Sequence, residues 1–465
     1  MQRLAITVLL LSTAAAAAEP APPGSPAART ERRFAELKKS PPELYAFLNR
    51  MPKGGDLHNH LSGAVYAETY LRVGAEDKLC VNLSAMAFAA CTPGTSPVEN
   101  ARTNIDFANT LINAFSMRNF VPGKESGHDH FFATFAKFGG TDNSHEGEFV
   151  AEVARRAADQ NESYLELMAL SGSAASKLAA KAPLDAGFDA ARAKLMAAGL
   201  DQAVAVLRAR LDRIEEGRKQ TLGCAAAPAS APCQVQVNYV YQVLREMPQP
   251  EIFAQVMTGF ALAAADPRVV GVNFVQAEDG LYSMRDYHAQ MQMVDYAHKL
   301  YPSVHITLHA GELAPGLVPP EGLLFHIRDA VETGHAERIG HGVDIMYETG
   351  AENLLNEMRD RHILVEINLT SNEGILGVSG GNHPLPVYRK YRVPVALSTD
   401  DEGVSRSNLT LEYLRAVLTY NLTYSDLKEM ARNSIEYSFA DKNQKARLTL
   451  DLTQRFARFE KDVSH

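Results

Sequence analysis

Val304–Glu312 (VHITLHAGE) is a short β-branched, apolar run that ends in an imidazole, His309, two small residues and a carboxylate, Glu312. A run this short and this apolar reads as a strand buried on both faces, as in parallel sheets. Its end carries chemistry rather than packing. Seven further short runs read as strands, several of them apolar nearly throughout: Gly55–His60, Tyr164–Met168, Gln234–Tyr241, Val269–Val275, Arg338–His341, Ile363–Ile367 and Val393–Ser398. The text between them is helical in pattern, as in Ala190–Arg218 and Asp286–Leu300. Strands alternating with helices predict parallel strands covered by helices. Eight such units predict the α/β class and a (β/α)8 TIM barrel.

The stretch from Leu61 to about Glu162 is too long for one crossover and predicts a helical insertion after the first strand. Within it, Phe131–Phe138 (FFATFAKF) reads as a helix whose aromatics pack a core. The Ala/Pro-rich insert Leu222–Pro232 reads as a surface excursion. A barrel with insertions fits in 465 residues as one domain. The boundaries expected are 1–18 for a leader, 19–45 for a linker and lead-in, and 46–465 for the barrel.

The leader reading rests on three parts: Arg3, the short apolar run Leu4–Leu11, and the Ala14–Ala18 run offering a cleavage site after Ala18. The run is too short for a mature membrane anchor, and no later segment is apolar enough for one. No Cys follows it, which argues against a lipid anchor. Export to a periplasm or beyond is the expectation. Glu19–Arg32, rich in Pro and Ala, reads as linker without periodicity. The four cysteines fit export, where thiols oxidise. Three pairings are possible; closure of short loops favours Cys80–Cys91 and Cys224–Cys233. No C-x-x-C occurs, so a Cys-based zinc site is not indicated. The net charge of -9 argues against nucleic acid as partner, but not against a single nucleoside.

Four pieces at predicted strand ends carry the chemistry. His58 and His60, in Asp56–His60 (DLHNH), lie two apart on a strand and point the same way, so two imidazoles aim at one metal. His309 adds a third, with Glu312 across a small-residue turn. His341 sits between Gly340 and Gly342, which permit close approach of a ligand. Asp400 and Asp401 end the last run and point to different sides, one toward metal and one toward substrate. Singly, each has a bland reading, a structural histidine or a helix-capping Asp. Together they fall where barrel strands converge on one face. His128 and His130 share the two-residue spacing but open the aromatic helix, and read as incidental.

With Met51-Pro52-Lys53 before the first piece, and HAGE, GHG and TDD in this order, the chain resembles the adenosine deaminase family of metal-dependent amidohydrolases from about Pro52 to about Tyr413. The leader and the long stretch after the first strand are similar to its secreted, growth-factor-like branch. The resemblance implies one zinc per chain, held by His58, His60, His309 and Asp400. It implies Glu312 as proton donor to purine N1, His341 as the group orienting hydroxide for attack on C6, and Asp401 as acceptor from the attacking water or the ring. The physics agrees. Zinc brings the pKa of water to about 7. Protonating N1 drains charge from C6, so a carboxylic acid must hold its proton beside the ring.

Four positions depart from the family pattern. Ser62 stands where Asp reaches the ribose, Gln276 where a Gly backbone touches the purine, Glu402 where Pro is common, and Leu167-Met168 where Arg is common. None touches the expected ligands or Glu312. All bear on recognition, so Ser62, Gln276 and Asp401 are the candidate substrate contacts. Ser371 and Asn372 are open between substrate contact and turn. The implied partner is a small purine nucleoside. A different purine nucleoside or base, or a silent binding protein of the same fold, are the alternatives. A binuclear site needs a carboxylated Lys at the end of the fourth strand, where Val275-Gln276-Ala277 offers none. An oligomer is compatible with the sequence.

Overall fold

The computed structural model describes residues 22–141 and 143–463; the leader expected at 1–18 lies outside them. Strand β1 (Gly54–His60) is buried along its whole length. An excursion follows, containing three short strands, β2 (Cys80–Asn82), β3 (Ala87–Ala89) and β4 (Thr95–Pro97). The chain then returns through β5 (Glu162–Ser171), β6 (Gln236–Leu244), β7 (Val269–Val275), β8 (His305–Ala310), β9 (Arg338–His341), β10 (Leu364–Ile367) and β11 (Val395–Leu397). β1 and β5 to β11 form one parallel sheet in sequence order. The sheet closes on itself where Asn59 bridges Asp400: the Asp400 N–H donates to the His58 carbonyl at 2.8 Å and the His60 N–H to the Asp400 carbonyl at 2.9 Å. The result is the (β/α)8 barrel, and all eight runs read from the sequence are its staves.

The first strand is anchored from below by polar groups that an apolar contact would not orient. Buried Lys53 donates through Nζ to the carbonyls of Gln160 (2.5 Å), Met51 (3.2 Å) and Asn49 (3.4 Å). Two of these carbonyls end the helix Pro41–Arg50 and one follows the helix Glu146–Asp159, where free carbonyls collect and favour a cation. The Gly55 N–H donates to Ser434 Oγ at 2.9 Å on the helix Tyr424–Glu436. That helix starts with a capping box of Thr423 and Asp426.

Three details differ from the sequence reading. A helix, Pro26–Leu37, occupies much of the stretch read as linker. Its signals are local: Ser25 caps the Ala28 N–H, Pro26 takes the first helical position, and Thr30, Phe34 and Leu37 fall on one buried face. Phe34 packs 5.5 Å from Phe47 and 6.1 Å from Tyr424. Second, Ala190–Arg218 is not one helix. Gly199, at φ 111°, ends Phe188–Ala198 and a new helix runs Leu200–Leu222; glycine adopts left-handed backbone of this kind without the strain a Cβ would bring. Third, the excursion holds not only helices, Ala67–Glu76, Ile105–Ala114 and Gly127–Phe138 among them, but the antiparallel sheet β3-β2-β4.

Both expected disulfides are present. Cys80–Cys91 staples β2 to the turn after β3, and Cys224–Cys233 closes the exposed Ala/Pro-rich loop. The excursion's aromatics form a small core of their own: Tyr70 stacks on Phe138 at 4.4 Å, and Phe115 packs edge-on to Phe88 and Phe138. Each such side chain contributes roughly 1.5–3 kcal/mol by burial. Among the described residues, no helix is long and apolar enough to cross a membrane.

Candidate active site

The strand ends bring four donor atoms together. His58 Nε2 and His60 Nε2 lie 3.1 and 3.2 Å from His309 Nε2, and each is 3.3 Å from Asp400 Oδ1. His58 and His60 share a face of β1, His309 ends β8, and Asp400 follows β11, which the barrel closure sets beside β1. All four are nearly inaccessible, at 0, 8, 4 and 3% exposure.

Each imidazole is oriented from behind. His58 Nδ1 donates to Glu366 Oε2 at 2.6 Å, His60 Nδ1 to Gln242 Oε1 at 3.1 Å, and His309 Nδ1 to Asn273 Oδ1 at 3.0 Å. The Asn273 oxygen is identified independently, because it also accepts the His309 backbone N–H at 3.0 Å. With the Nδ1 protons so committed, three Nε2 lone pairs face one another with no proton between them. That is repulsive unless a cation sits among them. Four ligands held tetrahedrally at about 2.0–2.2 Å lie about 3.3–3.6 Å apart, close to the separations seen. The residues therefore fit a divalent ion that takes nitrogen and oxygen donors. Asp400 is steadied in turn by Ser371 Oγ at 2.5 Å.

The second line of support reaches through the barrel. Burial opposes ionisation of Glu366, yet the Arg338 guanidinium and the His58 imidazole hold its carboxyl down to about 2. Arg338 Nε donates to Glu366 at 2.6 Å and its Nη2 to Glu166 at 2.6 Å. These residues were not singled out from the sequence. A signal for them exists: Glu166, Asn273 and Glu366 are lone polar residues in otherwise apolar strands, and a buried charge or amide must have a partner.

Glu312 lies beyond β8, on the far side of Gly311. Its N–H donates to Glu278 Oε2 at 2.7 Å and the Gly311 N–H to Glu278 Oε1 at 3.0 Å, so Glu278 shapes the turn. Burial pushes the Glu312 carboxyl well above the usual range, and the nearby charges of Asp400 and Glu278 push the same way. His341 Nδ1 lies 3.7 Å from its Oε1. Burial pushes the His341 imidazole down to about 3, so the ring is neutral. His341 Nε2 lies 4.0 Å from Asp400 Oδ2. Asp401 is also buried, its carboxyl is raised by burial and by Asp400, and its Oδ1 has no hydrogen-bond partner among the described residues.

His341 (φ 69°), Asp400 (φ 61°) and Gln276 (φ 82°) hold left-handed backbone. Such strain costs about 1–3 kcal/mol per residue and persists only where the surroundings enforce it.

Of the remaining sequence candidates, Ser62, Gln276, Glu402, His128 and His130 fall outside this cluster, while Ser371 and Asn372 adjoin it. Ser62 is exposed on the short helix Leu61–Ala64, and its carbonyl accepts from Tyr70 OH at 2.6 Å. Gln276 is exposed, with its amide oxygen taken by the Glu246 N–H at 3.0 Å. Glu402 is buried and pairs with Arg156 at 3.2 Å. Ser371 and Asn372 touch site residues, Asp400 and His341. His128 and His130 are spent elsewhere, on Asp279 at 2.8 Å and on the Ser116 carbonyl at 3.0 Å.

Comparison with known proteins follows the same lines. The chain is 36% identical over 148 residues to an adenosine deaminase from Clostridium perfringens, a match covering 32% of this chain and 41% of that protein. It thus spans about two fifths of that relative's length. In fold it is similar to an N6-mAMP deaminase from Arabidopsis (TM-score 0.58, 21% identity, 88% of this chain and 99% of the other). It is also similar to an amidohydrolase from Burkholderia ambifaria with bound Zn (TM-score 0.59, 16% identity, 90% and 94%). The sequence pattern of the family described as adenosine deaminase matches residues 101–454, from the excursion to the last helix. A match of that extent, on a barrel whose strand ends gather this donor set, means that the chain belongs to the adenosine deaminase family.

Proposed function

We propose that the chain is a zinc-dependent hydrolase that converts adenosine or 2′-deoxyadenosine to the inosine counterpart with release of ammonia. The observation that carries this reading is the pairing of three convergent imidazole nitrogens with a buried carboxyl, Glu312, whose environment favours its protonated form. His58, His60, His309 and Asp400 would hold one zinc, which when bound supplies Lewis acidity and lowers the pKa of water to about 7.

The other residues have distinct tasks. Glu312 keeps a proton at neutral pH because its charged form is penalised by burial and by two carboxylates. That proton goes to purine N1, which makes C6 electrophilic and polarises it toward attack. His341, neutral and buried, presents Nε2 toward Asp400 and steadies the attacking oxygen. Asp401, with a carboxyl oxygen that has no partner among the described residues, accepts a hydrogen bond from that oxygen or from the ring. The near-complete burial of these groups excludes bulk water and strengthens each interaction.

A second reading, a different purine in the same site, draws on the rim. Ser62 offers only a short hydroxyl and the Gln276 amide is bound to Glu246, so neither presents a strong ribose or purine contact. Structural neighbours described as deaminases of adenine and of N6-mAMP fit such breadth. Export and kinship with the secreted, growth-factor-like branch belong to the same proposal. Their support is the leader pattern of residues 1–18, the two disulfides and the long excursion after β1.

The test is one assay. Purified protein is loaded with zinc, offered a panel of purine nucleosides and bases, and followed by ammonia release. Turnover of adenosine and 2′-deoxyadenosine is expected; no ammonia from any member of the panel would sink the reading.

A further inference from the structure

Four imidazoles, not three, stand within reach of one another at the barrel mouth. The ring of His341 lies 4.9 Å from that of His58 and 5.1 Å from that of His309, and His341 joins His58, His309 and Asp400 in a group of donors close enough to share an ion. Something must decide which imidazoles ligate and which one does not. For His58, His60 and His309 the decision is made by an acceptor behind Nδ1, which leaves Nε2 as a lone pair. Behind His341 the polarity is reversed.

The reversal can be traced hydrogen by hydrogen. The Leu385 backbone N–H, a donor only, donates to His383 Nδ1 at 3.1 Å. His383 Nδ1 is therefore unprotonated and its proton sits on Nε2. His383 Nε2 donates to Asn372 Oδ1 at 3.0 Å, which fixes the orientation of the Asn372 amide. The other end of that amide, Nδ2, then donates to His341 Nδ1 at 2.8 Å. His341 Nδ1 is an acceptor, so its proton lies on Nε2, the nitrogen that faces Asp400. The Asn368 amide nitrogen is 3.5 and 3.4 Å from the two His341 nitrogens, shared between them and longer and weaker than the Asn372 contact at 2.8 Å. His341, Asn372 and His383 are all buried, at 0, 0 and 2% exposure, so bulk solvent does not compete for this order.

We propose that Asn372 and His383 are positioning residues that hold the His341 proton on Nε2, making His341 a hydrogen-bond donor to the attacking oxygen and withholding it from the metal as a further ligand. The chain thus sorts four like side chains into three ligands and one donor by the polarity of what stands behind them. The kinetic consequence rests on the deaminase reading above; the ligand consequence does not.

Cobalt(II) separates the two. Its visible bands weaken and shift when a further donor enters the coordination shell. Protein loaded with cobalt in place of zinc is compared as wild type, Asn372→Asp, His383→Leu and His383→Gln. In Asn372→Asp the new carboxylate accepts from Nδ1, moves the proton there and frees Nε2 as a lone pair. In His383→Leu the Asn372 amide loses the partner that fixed it and turns its oxygen to His341. Both variants are expected to show the band shift. With zinc, both are expected to lose about 10²–10⁴-fold in kcat, the scale of a wrong tautomer, with KM changed less than about threefold. His383→Gln, which both accepts and donates, is expected to keep the wild-type spectrum and recover about tenfold of the loss. A wild-type spectrum in Asn372→Asp overturns the proposal; if that variant does not fold, a wild-type spectrum in His383→Leu does so. Absence of turnover in the wild type overturns the deaminase reading instead, and leaves the spectra to judge the proton order.

Discussion

Glu312 is the residue on which the proposed chemistry turns. Its carboxyl is buried and raised, and its own backbone N–H is held by Glu278 rather than by solvent. Glu312→Gln keeps the shape and loses the proton. Ammonia release is expected to fall by at least about 10²–10⁴-fold, while metal content, read by elemental analysis, stays at the wild-type value. Undiminished turnover would remove Glu312 from the acid role. A second residue, Gly63, is defined by what it lacks. A Cβ built there would stand 1.6 Å from Asp401 Oδ1. Gly63→Ala must push the Asp401 carboxylate aside, and a misplacement of about 1 Å at such a site costs about 10²-fold in rate. The expected loss is in kcat, with unfolding temperature nearly unchanged. At this scale the sequence was informative about the donors, because His58-x-His60, HAGE, GHG and TDD sit at strand ends. It did not reveal what Gln242, Asn273, Glu278 and Arg338 do, because they act through partners far away in the chain, and no spacing within one strand reveals a partner in another.

The elements show where local text misleads. Several of the barrel strands are apolar nearly throughout, and the ends of all eight were readable to within a few residues. The sheet β3-β2-β4 was not, because three-residue strands have no period to detect and such a sheet is marginal alone. The Cys80–Cys91 bond compensates by closing a loop with a sequence separation of 11. Replacing both cysteines by Ser is expected to cost about 2–3 kcal/mol of the excursion's stability. Urea melts and limited proteolysis of residues 61–161 measure it; an unchanged digestion pattern would show that the aromatic core around Tyr70, Phe115 and Phe138 suffices without the bond. The helix Pro26–Leu37 escaped for the opposite reason. Its composition resembles a linker, and the three residues that bury it, Thr30, Phe34 and Leu37, make sense only against the helices Pro41–Arg50, Tyr424–Glu436 and Lys442–Val463.

For the whole molecule, buried carboxyls set the response to pH. Burial raises Glu348, Glu402 and Glu412 from 4.5 to about 7. A carboxyl raised in the folded state lends stability that is fully present below pH 4.5 and is lost as pH rises through about 7. Glu366, held to about 2, acts in the other sense: its contribution is present above pH 4.5 and is lost as pH falls toward 2. Maximum stability is therefore expected in the mildly acidic range, with the melting temperature falling from pH 5 to pH 8. Glu412→Gln is expected to flatten that fall; an equal slope in wild type and variant would show that Glu412 does not contribute to it. A saturating divalent ion adds stability by mass action, about 2.7 kcal/mol at a hundredfold excess over its Kd, so a chelator is expected to lower the melting temperature. The seam that closes the barrel has a consequence in time. Thr399 Oγ1 meets Asp56 Oδ2 across 343 residues of chain, and Asp400 joins His58 and His60 only there. A polypeptide emerging from a ribosome, or threading unfolded through a translocation channel, owns three imidazoles long before it owns the fourth donor. Capture of an ion by all four donors would thus be deferred until the last stave has arrived, and a product terminated before residue 400 would lack the strand-end bridge that closes the sheet.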